Sequence, residues 1–441
     1  MTATRRTRII KPLIASAAAL SAVVTLSGCG TQLKADDDPS ASATEDTTIT
    51  YWSSWSEGEP QQAIIADTIS DFEAQTGITV DVRWLGRDWI TTVENSAAVG
   101  DGPDIFDNGT DHIAEFRSKD LLGSLDDVLT AQIPGEDVTV GDVLSDSAIA
   151  GSSDDTGLGL IPNTIISTGM WFDAATHPEW VDSPPATFDD FLAEAQEIKD
   201  SGQAPIALDG NINFYNAYWF YWLQMRHGGP GSLAALGADA DAWDDPSVLA
   251  SATDVERLVD ADLFEDDYMG TQYPAAQNAW ATGDNTFELN GSWLASETSA
   301  TAADGFEPQT FAFPAVDGGH DSVDVGTLGW SISADSEHAD AAAEFLAFAL
   351  QKTYNERIST EALNIASRSD VAAPDALTSL QTQILNATEV NKTYDEAPAL
   401  HSGWWNDVFL PLDDQLISGE ISAAEFVADG KEQTADYLAG Q

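Results

Sequence analysis

Residues Thr48–Trp84 constrain the fold more than any other stretch. Thr48-Ile49-Thr50-Tyr51-Trp52 alternates as a strand should. Ser53-Ser54-Trp55 forms a short loop. Ser56 and Glu59 have capping-box spacing, and Pro60 suits a first helical turn. Ile65, Ile69 and Phe72 follow at i, i+4 and i+7, one apolar helix face, and Gly77 stops it. Ile78, Val80, Val82 and Trp84 then alternate with polar residues as a second strand. A β-α-β opening favours a parallel sheet and an α/β fold. Ligands of such sheets sit beyond the carboxyl ends of strands, and the loop Ser53–Trp55 lies at one.

The residues before this unit carry an address. Arg5, Arg6, Arg8 and Lys11 precede an apolar run, Leu13 to Leu26, that ends in small residues. That is a secretory signal, too short for an anchoring helix. Leu26-Ser27-Gly28-Cys29 resembles the lipobox of bacterial lipoproteins. The resemblance implies a signal peptide over 1–28, lipidation of Cys29, and a chain anchored to the outer face of the cell membrane. An ordinary signal with an incidental cysteine is the alternative. Arg5-Arg6 leaves the general secretory and twin-arginine routes both open. Cys29 is the only cysteine, so a lipidated Cys29 leaves no disulfide and stability rests on burial alone. Residues 30–47 are small, polar and acidic and bury too little to fold. With Cys29 they read as a tether, spanning on the order of 25 Å as a coil.

The formal net charge is −57, and loss of the signal's four basic residues would make it more negative. Such a surface repels phosphate backbones, which argues against nucleic acid as a partner. It also holds the body off anionic lipid. No later segment approaches 18 consecutive apolar residues. H-E-x-x-H, a Cys pair, a P-loop and G-x-S-x-G are all missing. The six histidines are scattered, and no D-x-D-x-D-G loop is present. No cofactor and no metal is expected.

Several motifs follow one another in a recognisable order. Phe72-Glu73-Ala74-Gln75-Thr76-Gly77-Ile78-Thr79-Val80 leads to Gly102-Pro103-Asp104-Ile105-Phe106. Gly159-Leu160-Ile161-Pro162-Asn163 leads into Gly169-Met170-Trp171-Phe172-Asp173. Pro185–Phe191, Phe287–Trp293, Ala341–Leu350 and Trp404-Trp405 come after. In that order they resemble the family 1 extracellular solute-binding proteins, the sugar-binding components of ABC importers. The resemblance covers about residues 48–441. Phe287-Glu288-Leu289 replaces the family's small-residue run, and Asp107 comes early, so Asp107 and Asp111 compete for one role.

The resemblance implies two α/β lobes in a periplasmic-binding-protein-like fold, interleaved, with a ligand cleft between them. Lobe 1 is expected over 48–164 plus 316–372, and lobe 2 over 167–313 plus 376–441. It implies an ABC importer permease as partner, with the ATPase on a separate chain, and a monomer. A neutral sugar needs planar hydrogen-bonding groups for its hydroxyls and aromatic faces for its C–H surfaces. Candidates on cleft-facing loops are Ser54, Trp55 and Glu57, then Asp107, Asn108 and Asp111, and Asn163 at the first crossover. Gly291, Ser292 and Trp293 follow a strand, Trp330 lies beside Gly329, and Arg368 follows the next helix. Trp404 and Trp405 come last, at most one of them stacking. Glu57 doubles as a helix-start acid. Tyr215, Trp219 and Trp222 have the spacing of a core face, with Trp219 or Tyr218 the cluster's candidate for ligand contact.

The reading is a carbohydrate-binding lipoprotein, not an enzyme, that captures an oligosaccharide for import. A secreted glycoside hydrolase is the alternative, needing two carboxylates about 5–10 Å apart. A polyamine binder stays open because of the acidic charge. A ferric binder would use a Tyr-Tyr pair, which the chain lacks.

Overall fold

The computed structural model describes residues 47–441. The signal segment, Cys29 and the tether to residue 46 lie outside them. In chain order, the strands of the two larger sheets are β1 Thr48–Ser53, β2 Thr79–Trp84, β3 Ile105–Gly109, β4 Ile161–Ile166, β5 Thr168–Asp173, β6 Ala204–Ala207, β7 Asn285–Gly291, β8 Pro308–Phe311, β9 Gly326–Ile332 and β10 Ile365–Ala366. The six-stranded sheet runs β10-β4-β9-β3-β1-β2, and the four-stranded sheet runs β8-β5-β7-β6. Each sheet is the centre of one α/β lobe.

β1 lies parallel to β2 and β3, with Thr48 opposite Thr79 and Tyr51 opposite Ile105. The joining helix α1 (Pro60–Thr76) buries Ile64, Ile65, Thr68, Ile69 and Phe72. Phe72 meets Phe345 and Phe348 edge-on at 5.2 and 5.4 Å, closing the core of the first lobe. Pro60 fixes the helix start, so Glu59 rather than Ser56 is the N-cap. Glu59 still accepts the Ser56 N–H at 2.6 Å, half of the expected capping box.

In the second lobe, α2 (Phe188–Ser201) starts on a capping box made by Thr187 and Asp190. The next helix, α3 (Asn213–His227), is buried on every side from Tyr215 to Arg226. A helix apolar all round belongs inside, so the expected single core face is replaced by a buried rod. Trp219 is fully buried and packs on Phe264 and Phe313.

The chain leaves the first sheet at Ile166 and enters the second at Thr168, with Ser167 alone between. The Ser292 N–H, just past β7, donates to the Ser167 carbonyl at 2.8 Å. The return run lies between Phe311 and Gly326.

One irregularity prepares the cleft. β9 pairs Leu328 with Thr164 but Gly329 with Pro162, leaving Asn163 as a bulged residue. A bulge re-aims the side chain it carries. Gly329 permits the close approach, because a Cβ there would stand 2.0 Å from the Ile161 carbonyl oxygen. Gly329→Ala is expected to cost about 3 kcal/mol of stability, read as a lower denaturation midpoint with unchanged slope.

Candidate functional site

Three strand ends of the first sheet supply one wall. Behind it, Asp107 at β3 is buried, and four donors reach its two oxygens. The Tyr51 hydroxyl reaches one oxygen. The Ser53 hydroxyl, the Ser54 N–H and the Ser54 hydroxyl reach the other at 2.8, 2.6 and 2.8 Å. Burial pushes its carboxyl up while these donors pull it back. Asp107 therefore holds the loop after β1 in place, with most of its acceptor capacity spent on that loop. Asn108 is likewise engaged, donating to the Ser331 hydroxyl at 2.9 Å and accepting the Gly109 N–H at 2.8 Å.

Asp111, one turn on, points into the solvent of the cleft. Its carboxyl is pushed up by the protein around it and pulled back by His112 and Lys392. Between Asp107 and Asp111, Asp111 is the exposed one and the freer acceptor. Trp55 faces the same space, with the Arg87 guanidinium 5.4 Å from its ring. Arg87 also donates to the Ser54 carbonyl at 2.8 Å and pairs with Glu59 at 2.7 Å. These contacts orient the loop that carries Trp55. Asn163, the bulged residue, is buried at the cleft floor, and its side-chain oxygen has no partner. Behind Trp55 and Asn163 lies a small cavity of about 20 Å³.

The second lobe presents rings. Trp293 follows β7 and lies flat on Gly291, where a Cβ would come within 2.2 Å of the indole. Gly291 and Ser292 thus shape the turn beneath Trp293, and Ser292 is buried against the crossing. Phe214 of α3 is exposed to the cleft, and Tyr218 lines it from beneath, 1% exposed and stacked on Tyr394 at 5.1 Å. Tyr394, Asp395 and Glu396 all have positive φ, 52°, 55° and 60°. Such a run is strained for side chains with a Cβ and is held by its surroundings. Asp395 anchors it by accepting the N–H groups of Gly231, Leu233 and Ala234. Together the two walls enclose about 490 Å³.

Of the expected site residues, Ser54, Trp55, Asp107, Asn108, Asp111, Asn163 and Trp293 line this cleft. Six others do not. Glu57 is exposed in the turn before α1. Trp219 faces the core, and its neighbour Tyr218 takes the cleft position. Trp330 is buried and donates to the Tyr51 hydroxyl at 3.0 Å. Arg368 is 1% exposed and bound to Glu136 and Asp370 at 2.8 Å each. Trp404 is buried and donates to Thr434 at 2.8 Å. Trp405 is buried and stacks on Phe409 at 4.6 Å.

Arg87, Trp89, His112, Phe214, Thr393 and Tyr394 line the cleft without having been expected there. Arg87 and Trp89 follow β2, so the strand-end rule that found Trp55 and Asp111 reaches them too. Among the described residues, no group of three or more His, Cys, Asp or Glu is arranged to hold a metal ion. No helix there is long and apolar enough to cross a membrane.

The family model of bacterial extracellular solute-binding proteins matches residues 52–356. The chain is 27% identical over 216 residues to a multiple sugar-binding protein of Streptococcus mutans serotype c, covering 44% of this chain and 49% of that one. It is 26% identical over 215 residues to the diacetylchitobiose binding protein NgcE of Streptomyces coelicolor, covering 46% and 44%. The chain thus spans about half the length of the curated relatives it matches. Among solved structures, the bacterial solute receptor AcbH, described with an exclusive preference for β-D-galactopyranose, matches with a TM-score of 0.73. It is 17% identical, with 89% of this chain and 98% of that one covered, a likeness of fold.

Proposed function

Because this chain belongs to the bacterial extracellular solute-binding proteins, we propose that it captures a neutral oligosaccharide in the cleft and delivers it to an ABC importer. The observation that carries this is the pairing of walls. Trp55 on one lobe and Trp293 and Phe214 on the other face a common space that also holds Asp111, with Tyr218 and Asn163 in its lining. Ring faces suit sugar C–H surfaces, and fixed acceptors suit hydroxyls. The cavity of about 490 Å³ falls in the range of ligand sites, roughly 300–1,000 Å³, and leaves room for more than one ring. The sugar ligands in the names of the two curated relatives agree with this chemistry.

The lobes taken as 48–164 with 316–372, and 167–313 with 376–441, would close on the ligand by a hinge motion. A lipid on Cys29 would keep this receptor within reach of its permease. The protein would act as a binding protein and not a hydrolase, in keeping with the solute-binding family to which the chain belongs.

A thermal-shift screen of the purified chain tests the reading, with malto-, xylo- and chito-oligosaccharides, monosaccharides, polyamines and amino acids as probes. An oligosaccharide is expected to raise the melting temperature, because it binds only the folded state. A shift with amines alone would replace the sugar by a polyamine. Release of reducing sugar from the probe would replace the receptor by a hydrolase.

A further inference from the structure

The run that returns from the second sheet to the first carries a buried acid where the lobes join. Asp324 is 0% exposed. Its two oxygens accept the Thr168 hydroxyl at 2.8 Å and the Thr393 hydroxyl at 2.9 Å. Thr168 is the first residue past the crossing at Ser167. Thr393 lines the cleft and immediately precedes the left-handed run Tyr394–Glu396. Val323 and Asp324 also pair in parallel with Val390 and Asn391. The Thr168 hydroxyl accepts the Trp222 indole N–H at 2.8 Å, so its single proton goes to Asp324. The crossing at Ser167, the return run and the strained border of the cleft therefore meet at one carboxyl group.

We propose that Asp324 is a positioning residue that couples ligand binding to proton uptake: with ligand on Asp111, Asp324 carries a proton, and affinity falls as pH rises. This rests on the reading of the cleft as a carbohydrate site.

Burial raises the Asp324 pKa to about 7, against the opposing hydrogen bonds from Thr168 and Thr393 and with a further push from the Asp111 charge. The other groups that face it are Tyr218 and Tyr221 of α3 and Tyr394 of the border. Their phenols are pushed up by burial and stay neutral. Lys392 and Glu396 act on Asp111, with opposite signs. Asp111 accepts ligand hydroxyls most strongly when ionised. A ligand expels the cleft water that screens Asp111 from Asp324, which strengthens their repulsion and raises the proton affinity of Asp324. A group held more tightly protonated in the complex takes up a proton on binding. Affinity is then full below the free-state value and falls as pH rises through about 7. Each unit of difference between free and bound states is worth up to about tenfold.

Calorimetric titration of the purified chain tests this, using the strongest binder among the malto-, xylo- and chito-oligosaccharides of the screen. From about pH 6 to about pH 8 the wild type is expected to lose roughly five- to tenfold in affinity, with proton uptake visible as a buffer-dependent enthalpy. Asp324→Asn, neutral and of the same shape, is expected to bind equally at both values and to take up no proton. Should that variant fail to fold, the Trp222 indole N–H resonance of the ligand-free wild type reports on the same chain of hydrogen bonds. It is expected to shift with a midpoint near 7. A flat wild-type profile, an unchanged slope in Asp324→Asn, or an indole resonance that does not titrate there overturns the inference while leaving the function intact. If no oligosaccharide binds at any pH, the functional reading fails and the inference with it.

Discussion

Trp293→Ala is expected to weaken oligosaccharide binding by about 2–3 kcal/mol, roughly 30- to 150-fold in Kd. The indole packs closely over Gly291, so it meets the ligand already ordered. Its loss removes the ring face of the second lobe and leaves the fold nearly untouched, because the ring is part-exposed in the cleft. Trp293→Phe keeps a face and is expected to lose much less. Trp405→Ala gives the contrast. Trp405 is buried against Phe409 and Tyr394, so that variant should lower the melting temperature and keep most of the affinity at low temperature. Titration calorimetry on the three variants separates the roles. Full affinity in Trp293→Ala would move the site away from this wall.

Arg368→Ala is expected to cost about 3 kcal/mol of stability while ligand affinity changes less than about twofold. The guanidinium is buried, pairs with Glu136 and Asp370, and donates to the Leu350 carbonyl at 2.8 Å. Removing it leaves two acids facing each other. Arg368 also holds the Asp370 carboxyl down, to about 2. A depressed carboxyl contributes stability above its unfolded value, and that contribution is lost as pH falls toward about 2. The wild type should therefore lose stability through that acid range, and Arg368→Ala should lose less of it. Denaturation midpoints at neutral and acid pH read both effects. A large loss of affinity with stability intact would return Arg368 to the binding site.

The β-α-β opening and the order of motifs were legible because they rest on local patterns. Ile65, Ile69 and Phe72 repeat with the helix, and β1 and β2 alternate, so α1 and its strands could be placed by period alone. Strand ends then pointed to Trp55 and Asp111, and the same rule extended to β2 would have reached Arg87 and Trp89. Tryptophan roles were not legible in this way. Trp330, Trp404 and Trp405 have the same chemistry as Trp293, and only the surrounding sheets and helices decide which ring is covered. Tyr218 and Trp219 are adjacent on a helix buried all round, where periodicity has no polar face to orient by. The three left-handed residues Tyr394–Glu396 are imposed by Asp395 capping a distant helix, a contact between residues about 160 apart in the chain. Asp324 gathers Thr168 and Thr393 from still other segments. Nothing local marks such a meeting point.

The most direct measurement of the central claim is a crystal structure of the chain with the oligosaccharide that gives the largest thermal shift. The expected complex has sugar rings against Trp293 and the Phe214–Tyr218 face, with hydroxyls on Asp111 and Asn163, and the ligand touching both lobes. A ligand seated outside this cleft, or one that leaves Trp293 and Asp111 free, would contradict the account.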